Sequence, residues 1–194
     1  MSKDWAIPTW VFLHTWAEQM TPAFYAPRSR EILELVKGIC ASLPCPSCME
    51  HATAHMKTVT RDSVKTVEDF RRMLWHFHNQ VNARTRKPIF PRSQLAVYRR
   101  LNMRVILQVF VTQMTKPLHN KMMTDAMHRL AMIRRVNRWV LREWPVLMRE
   151  AYQVRANAEA GAGSGSNAHA RNVSVQNGEG GGGGQGNQGN FVHT

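Results

Sequence analysis

Glycine is almost missing from the first 160 residues of this 194-residue chain: Gly38 stands alone there, and the other eleven lie between Gly161 and Gly189. That scarcity excludes a GxGxxG turn or a Walker loop outside the C-terminal stretch, so any nucleotide is held without a Gly-rich phosphate cradle. Cysteine is as sparse, with three in all, which rules out a disulfide framework. Long apolar runs are absent too. The most apolar window, 101–111, is interrupted by Arg104 and Gln108 and is too short to span a bilayer. Residues 1–20 lack the basic start and unbroken apolar stretch of a secretory signal. The expectation is a chain kept in the cytoplasm, neither secreted nor membrane-spanning.

Acidic residues are scarce where basic ones are dense. Residues 91–156 hold 13 Lys/Arg against 3 Asp/Glu, whereas residues 1–90 hold 12 against 8. Such a half suits nucleic acid, an anionic membrane surface or an acidic partner, and it equally suits a solvated helix face, because Arg is a good helix former.

What remains reads as helix. Trp10, Leu13, Trp16 or Ala17, and Met20 recur at helical spacing, with Pro8 where a first-turn proline is tolerated and Pro22 as a stop. Ile32, Leu35, Val36 and Ile39 predict a second helix over 29–41, ended by Pro44. A third runs from Pro46 to about Thr58. A fourth over 67–82 opens on Thr66 and Asp69 in capping-box spacing and carries Phe70, Leu74, Phe77 and Val81 as its stripe. Basic helices follow over 94–114 and 125–144, parted by Pro117 and broken by Pro145. No strand of useful length and no repeat is visible. The expected fold is all-α: a four-helix bundle plus a short fifth helix over residues 1–100, a basic helical extension over 101–155, and a disordered Gly/Ser/Asn-rich tail over 156–194.

The chemistry concentrates in Cys45-Pro46-Ser47-Cys48, followed by His51 and His55. Pro46 suits the first helical position, which puts Cys45 at the N-cap and Cys48 in the first turn, where free N–H groups and the helix dipole favour a thiolate. Two chemistries fit. Cys45, Cys48, His51 and His55 have the ligand types of a zinc site, although the usual finger separates its pairs by a dozen residues. Alternatively, Cys45 and Cys48 form a redox pair and the histidines are polar positions on a half-exposed helix. Cys40 reads as a buried thiol packed with Val36 and Ile39.

A lone dithiol needs an electron acceptor. Trp75, His76, Phe77, His78, Asn79, Val81, Asn82, Arg84 and Lys87 crowd rings, amides and cations into one helix and its exit, and Trp10 and His14 lie one turn apart in the first helix. Such a set suits core and surface positions of an ordinary helix, and equally the lining of a pocket for a flat heteroaromatic ring and its phosphates.

Taken in order, Trp10-x-x-x-His14, Leu43-Pro44-Cys45-x-x-Cys48 and His78-Asn79-x-Val81-Asn82 with Lys87-Pro88 resemble the ERV/ALR-type FAD-linked sulfhydryl oxidases over about residues 5–100. The run on through His51-Ala52 is most similar to members encoded by large cytoplasmic DNA viruses, for which the host cytoplasm or the virion is the implied location. The resemblance implies a small helical bundle holding FAD. It implies that Cys48 lies against the flavin, that Cys45 exchanges with protein dithiols, and that electrons pass to oxygen to give hydrogen peroxide. It also implies FAD contacts from Trp10, His14, Trp75, His78, Asn79, Val81, Asn82, Lys87 and Tyr98, with no metal, and a homodimer. This chain departs in having Gln19 and Met20 where a tyrosine is common, Arg86 where glycine is common, and no cysteine around Phe90-Pro91-Arg92. With one CxxC only, it meets its substrate directly or through a separate thioredoxin-like shuttle. The contrasting reading is a non-enzymatic, zinc-stabilised helical module that binds nucleic acid through its basic half. Met122, Met123, Met127 and Met132 offer a face for a second subunit.

Overall fold

The computed structural model describes residues 4–117 and 123–164, and among these every regular element is helical. In chain order they are α1 (Ala6–Gln19), α2 (Pro22–Cys40), α3 (Pro46–Thr58), α4 (Val67–Arg84), α5 (Leu95–Tyr98), α6 (Met103–Thr115) and α7 (Met123–Ser164), with 3-10 turns at Arg61–Val64 and Arg92–Gln94.

α1 is the centre of the packing. Every residue from Phe12 to Glu18 is buried, so this part of the helix has no solvent face, and α1 packs against α4, α5 and α6. Its one buried carboxylate, Glu18, is met by Arg99 at 2.9 Å and Arg71 at 3.8 Å. Arg71 also donates to the carbonyls of Ala17, Glu18 and Met20, satisfying the C-terminal acceptors that a helix end leaves open. Thr66 and Asp69 cap α4 reciprocally, as their spacing predicts.

Two helices run further than expected, each through a proline. α2 starts at Pro22 rather than 29, because Thr21 caps it by accepting from Phe24 N–H at 3.1 Å and Pro27 is carried inside the helix. α7 continues through Pro145 instead of breaking. In both cases the proline and the residue four before it, Ala23 or Leu141, are exposed, so the carbonyl left without an N–H faces water. The basic stretch over 94–114 divides into α5 and α6, since Asn102 accepts from the N–H groups of Arg104 and Val105 and starts a new helix.

α6 and α7 bury their apolar faces in the same core as α1 and α2. Phe110 stacks on Phe12 at 4.3 Å, and Trp139 sets its edge against Trp16 at 5.3 Å. Such aromatic pairs add about 0.5–1.5 kcal/mol beyond the area they bury. α7 runs antiparallel to α2 over most of that helix: Met132 packs on Gly38, Arg142 reaches Glu31 at 3.8 Å, Glu143 binds Arg28 at 2.9 Å, and Glu150 accepts from Thr21 at 2.8 Å. A Cβ at position 38 would meet the Met132 sulfur and methyl, so the tip of that flexible side chain would have to shift to admit one. Residues 1–155 form one compact unit. α7 extends to Ser164; the remainder of the expected tail, and Met122, lie outside the described residues. Among the described residues no helix is long and apolar enough to cross a membrane.

Candidate active site

The chain leaves α2 at Ala41, turns through the buried Pro44, and enters α3 with Cys45 as N-cap and Pro46 at the first helical position. Cys45 and Cys48 are joined by a disulfide, their Cα atoms 5.1 Å apart. Cys45 Sγ accepts from the Cys48 backbone N–H at 3.3 Å and, at 3.4 Å, from the Ser47 hydroxyl, because a disulfide sulfur has no proton to give. Both donors, with the positive end of α3 behind them, favour negative charge on Cys45 once the bond opens.

Cys48 lines a cavity of about 510 Å³, and Cys45 does not. Residues from α1, α2, α3, α4 and the 86–98 segment wall this cavity. Trp10, His78, Val81, Asn82, Lys87 and Tyr98 are in the wall, and Phe77, Arg84, Cys40 and His51 join them. The Trp10 and His78 rings lie parallel, 8° apart in plane with centroids at 4.1 Å. His14 is fully buried behind them, its Nε2 3.0 Å from His78 Nδ1.

Two other expected contacts stand in a supporting position. Asn79 donates to the Phe90 carbonyl at 3.2 Å and accepts from the Phe90 N–H at 2.7 Å, while Trp75 Nε1 donates to the same carbonyl at 2.9 Å. Asn82 donates to Pro88 O at 3.1 Å. Three α4 side chains thus lace the segment after the helix onto it. The turn that starts this segment ends α4 in a Schellman pattern: Lys87 N–H bonds Asn82 O, Arg86 N–H bonds Ala83 O, and Arg86 has φ 54°.

The electrostatics divide the site. Burial, and then the neighbouring His78, pull His14 down to about 3; burial, and then the Lys87 ammonium, pull His78 down to about 4. The two rings therefore meet as neutral imidazoles, one donating and one accepting. His51 is lowered by desolvation and by Arg84, and His55 by desolvation and by His51. His55 stacks flat on Phe77 at 4.5 Å, its buried Nε2 without a hydrogen-bond partner. Burial pushes the free Cys40 thiol up to about 12, which makes it inert at neutral pH. Among the described residues no three His, Cys, Asp or Glu side chains come together as metal ligands.

Trp5, Leu43 and Phe90 also line the cavity; Leu43 is signalled in the sequence only as part of the Leu-Pro-Cys motif and Phe90 only in the segment without a cysteine, and Trp5 not at all. Trp5 sits in the turn before α1, outside any helical periodicity. Chemically, the arrangement is a reducible disulfide with one sulfur set at a helix N-terminus and the other in the wall of a ring-lined, cation-rimmed cavity.

A model of the Erv1/Alr family matches residues 7–101. The chain is 30% identical over 92 residues to the FAD-linked sulfhydryl oxidase ERV1 of Arabidopsis thaliana, covering 46% of each chain. It is 39% identical over 64 residues to a protein of Invertebrate iridescent virus 6 that is provisionally named a FAD-linked sulfhydryl oxidase, covering 30% of this chain and 58% of that one. To the FAD-linked sulfhydryl oxidase of African swine fever virus (Kenyan pig isolate) it is 30% identical over 90 residues, 46% of this chain and 75% of the viral one. The chain thus spans about half the length of the first two relatives. No solved structure matches it.

Proposed function

The chain belongs to the Erv1/Alr family, and on that premise we propose that it is a FAD-dependent thiol oxidase that joins protein thiols into disulfides through Cys45 and Cys48. The observation that carries this reading is the Cys45–Cys48 disulfide with only Cys48 in the wall of the ring-lined cavity. The residues there fit FAD. Trp10, Phe77, His78 and Tyr98 offer flat faces for its rings, Val81 an apolar contact, and Arg84 and Lys87 positive charge for its diphosphate. His14, Trp75, Asn79 and Asn82 hold those groups in place. On this reading α1 to α4 form the cofactor-holding bundle and α5 its short fifth helix.

When bound, FAD supplies a two-electron acceptor that oxygen reoxidises, with hydrogen peroxide as product. The chain's own steps are thiol–disulfide exchange. A substrate thiolate attacks Cys45 Sγ, the Cys45–Cys48 bond breaks, and Cys48 leaves as a thiolate. A second substrate thiolate then attacks the substrate sulfur of the mixed disulfide and releases Cys45, so the substrate is oxidised by two electrons and the CxxC reduced by two. The N–H of Cys48 and the Ser47 hydroxyl hold the negative charge on Cys45 as it leaves. Neutral His14 and His78 keep a second positive charge out of the wall beside Lys87.

The substrates are protein dithiols reached directly or through a thioredoxin-like shuttle. The working form is a homodimer, in a cytosol-like compartment. Purified protein is expected to be yellow with a flavin absorption band and to consume oxygen when given a dithiol. A colourless protein, inactive after FAD is added, would overturn the reading.

A further inference from the structure

We infer that the outer face of α7 is a docking surface for an anionic lipid bilayer. The inner face of this helix is spent in the core through Ile133, Val136, Trp139, Val140 and Leu147. Its outer face is not simply polar. Leu141, Pro145, Met148 and Tyr152 recur at i, i+4, i+7 and i+11 and are exposed, Leu141 at 46%, Met148 at 49% and Tyr152 at 74%. Arg135, Arg138, Arg142 and Arg149 recur at i, i+3, i+7 and i+14, and all are exposed. At roughly 100° per residue the two stripes lie side by side on one solvent-facing sector, about 26 Å long from Arg135 to Tyr152.

Charge chooses the occupant. Arg135 and Arg138 have no carboxylate partner among the described residues, whereas Arg142 is already paired with Glu143 at 2.8 Å and with Glu31 of α2 at 3.8 Å, which leaves Arg135, Arg138 and Arg149 as the cations of the stripe. A second copy of the chain on this face would set arginines against arginines. A nucleic acid would use the cations and leave Leu141, Met148 and Tyr152 in water. An anionic bilayer takes both stripes together: headgroups meet the guanidinium groups, the Leu and Met side chains enter the acyl boundary, and the tyrosine ring sits at headgroup depth. The surface therefore holds the bundle on a membrane without crossing it, independently of the thiol chemistry.

The test is co-sedimentation of the full chain with phosphatidylcholine vesicles that do or do not contain phosphatidylserine, with duplex DNA as competitor. Binding is expected only with phosphatidylserine, and is expected to weaken with salt. Arg135→Gln/Arg138→Gln/Arg149→Gln is expected to lose about a hundredfold in affinity, and Leu141→Gln/Met148→Gln to lose about tenfold. Both variants should still unfold cooperatively, the arginine variant close to the parent and the Leu141/Met148 variant somewhat lower, because those two side chains are half covered. No binding, equal binding to phosphatidylcholine alone, undiminished binding by either variant, or displacement by DNA would each overturn the assignment.

Discussion

His14 Nε2 and His78 Nδ1 stand 3.0 Å apart across the α1–α4 contact, in a stack completed by Trp10 on one side and Phe90 on the other. Both rings are neutral because burial holds His14 at about 3 and His78 at about 4, below the ordinary 6.5. As pH falls below 6.5, the unfolded chain binds protons at these positions and the folded chain does not. The stability is thus complete above about 6.5 and drains away as pH falls toward 4 and then 3. His51 and His55 shift in the same direction. The thermal midpoint should fall already between roughly pH 6.5 and 5, above the usual carboxylate range. In His78→Gln that slope should be shallower by about one proton. A midpoint flat across that interval would contradict the neutral pair.

Arg86 takes the backbone conformation that glycine takes most cheaply. Its φ of 54° follows from the Schellman turn ending α4, and its side chain is exposed. A side chain in this region costs about 1–2 kcal/mol, and the extra freedom of glycine in the unfolded chain returns part of that. Arg86→Gly should therefore stabilise the protein by about 1 kcal/mol, read as a higher urea midpoint with unchanged m. Destabilisation would mean that the guanidinium makes a contact worth more than the strain.

Cys45 and Cys48 differ in surroundings, so their single variants should differ in reactivity. Cys45→Ser and Cys48→Ser should each abolish oxidation of a protein dithiol. In Cys48→Ser the remaining Cys45 sits at the helix N-terminus outside the cavity wall, and it should form a mixed disulfide with an aryl disulfide reagent about tenfold faster than Cys48 does in Cys45→Ser. Mass spectrometry of quenched samples measures both. Faster trapping at Cys48 would reverse the assigned roles.

The local elements of this site were legible because each carries its own signal. Pro46 after Cys45 marks a helix start, Thr66 and Asp69 mark another, and the PCxxC and HNxVN wording brings the resemblance. What sequence spacing could not resolve is how one side chain serves another. Asn79 and Trp75 have the residue types of pocket contacts, yet both are spent on the Phe90 backbone, a partner 11 and 15 residues away. His14 is one helical turn from Trp10, but only the crossing of α1 with α4 places it behind His78 rather than beside the cavity. Internal prolines 27 and 145 were opaque for a related reason: whether a helix tolerates one depends on where the freed carbonyl points, which is a property of packing.

The family likeness ends near residue 101, but the core does not. Phe110 covers Phe12, Trp139 covers both Trp16 and Phe24, and Met114 accepts a hydrogen bond from Thr9. A fragment of residues 1–100 would leave Phe12, Trp16 and Phe24, all fully buried in the whole chain, facing water along α1 and α2. Burying a large aromatic side chain is worth about 2–3 kcal/mol, so exposing three of them removes an amount comparable to the whole stability of a domain this size. The fragment should lose near-ultraviolet circular dichroism and bind hydrophobic dyes while keeping much of its helix signal. In the full chain, Trp139→Ala alone should cost about 3–5 kcal/mol in urea unfolding. A fragment that melts cooperatively would show α6 and α7 to be an appendage; the burial of Phe110 and Trp139 argues that they are part of the fold.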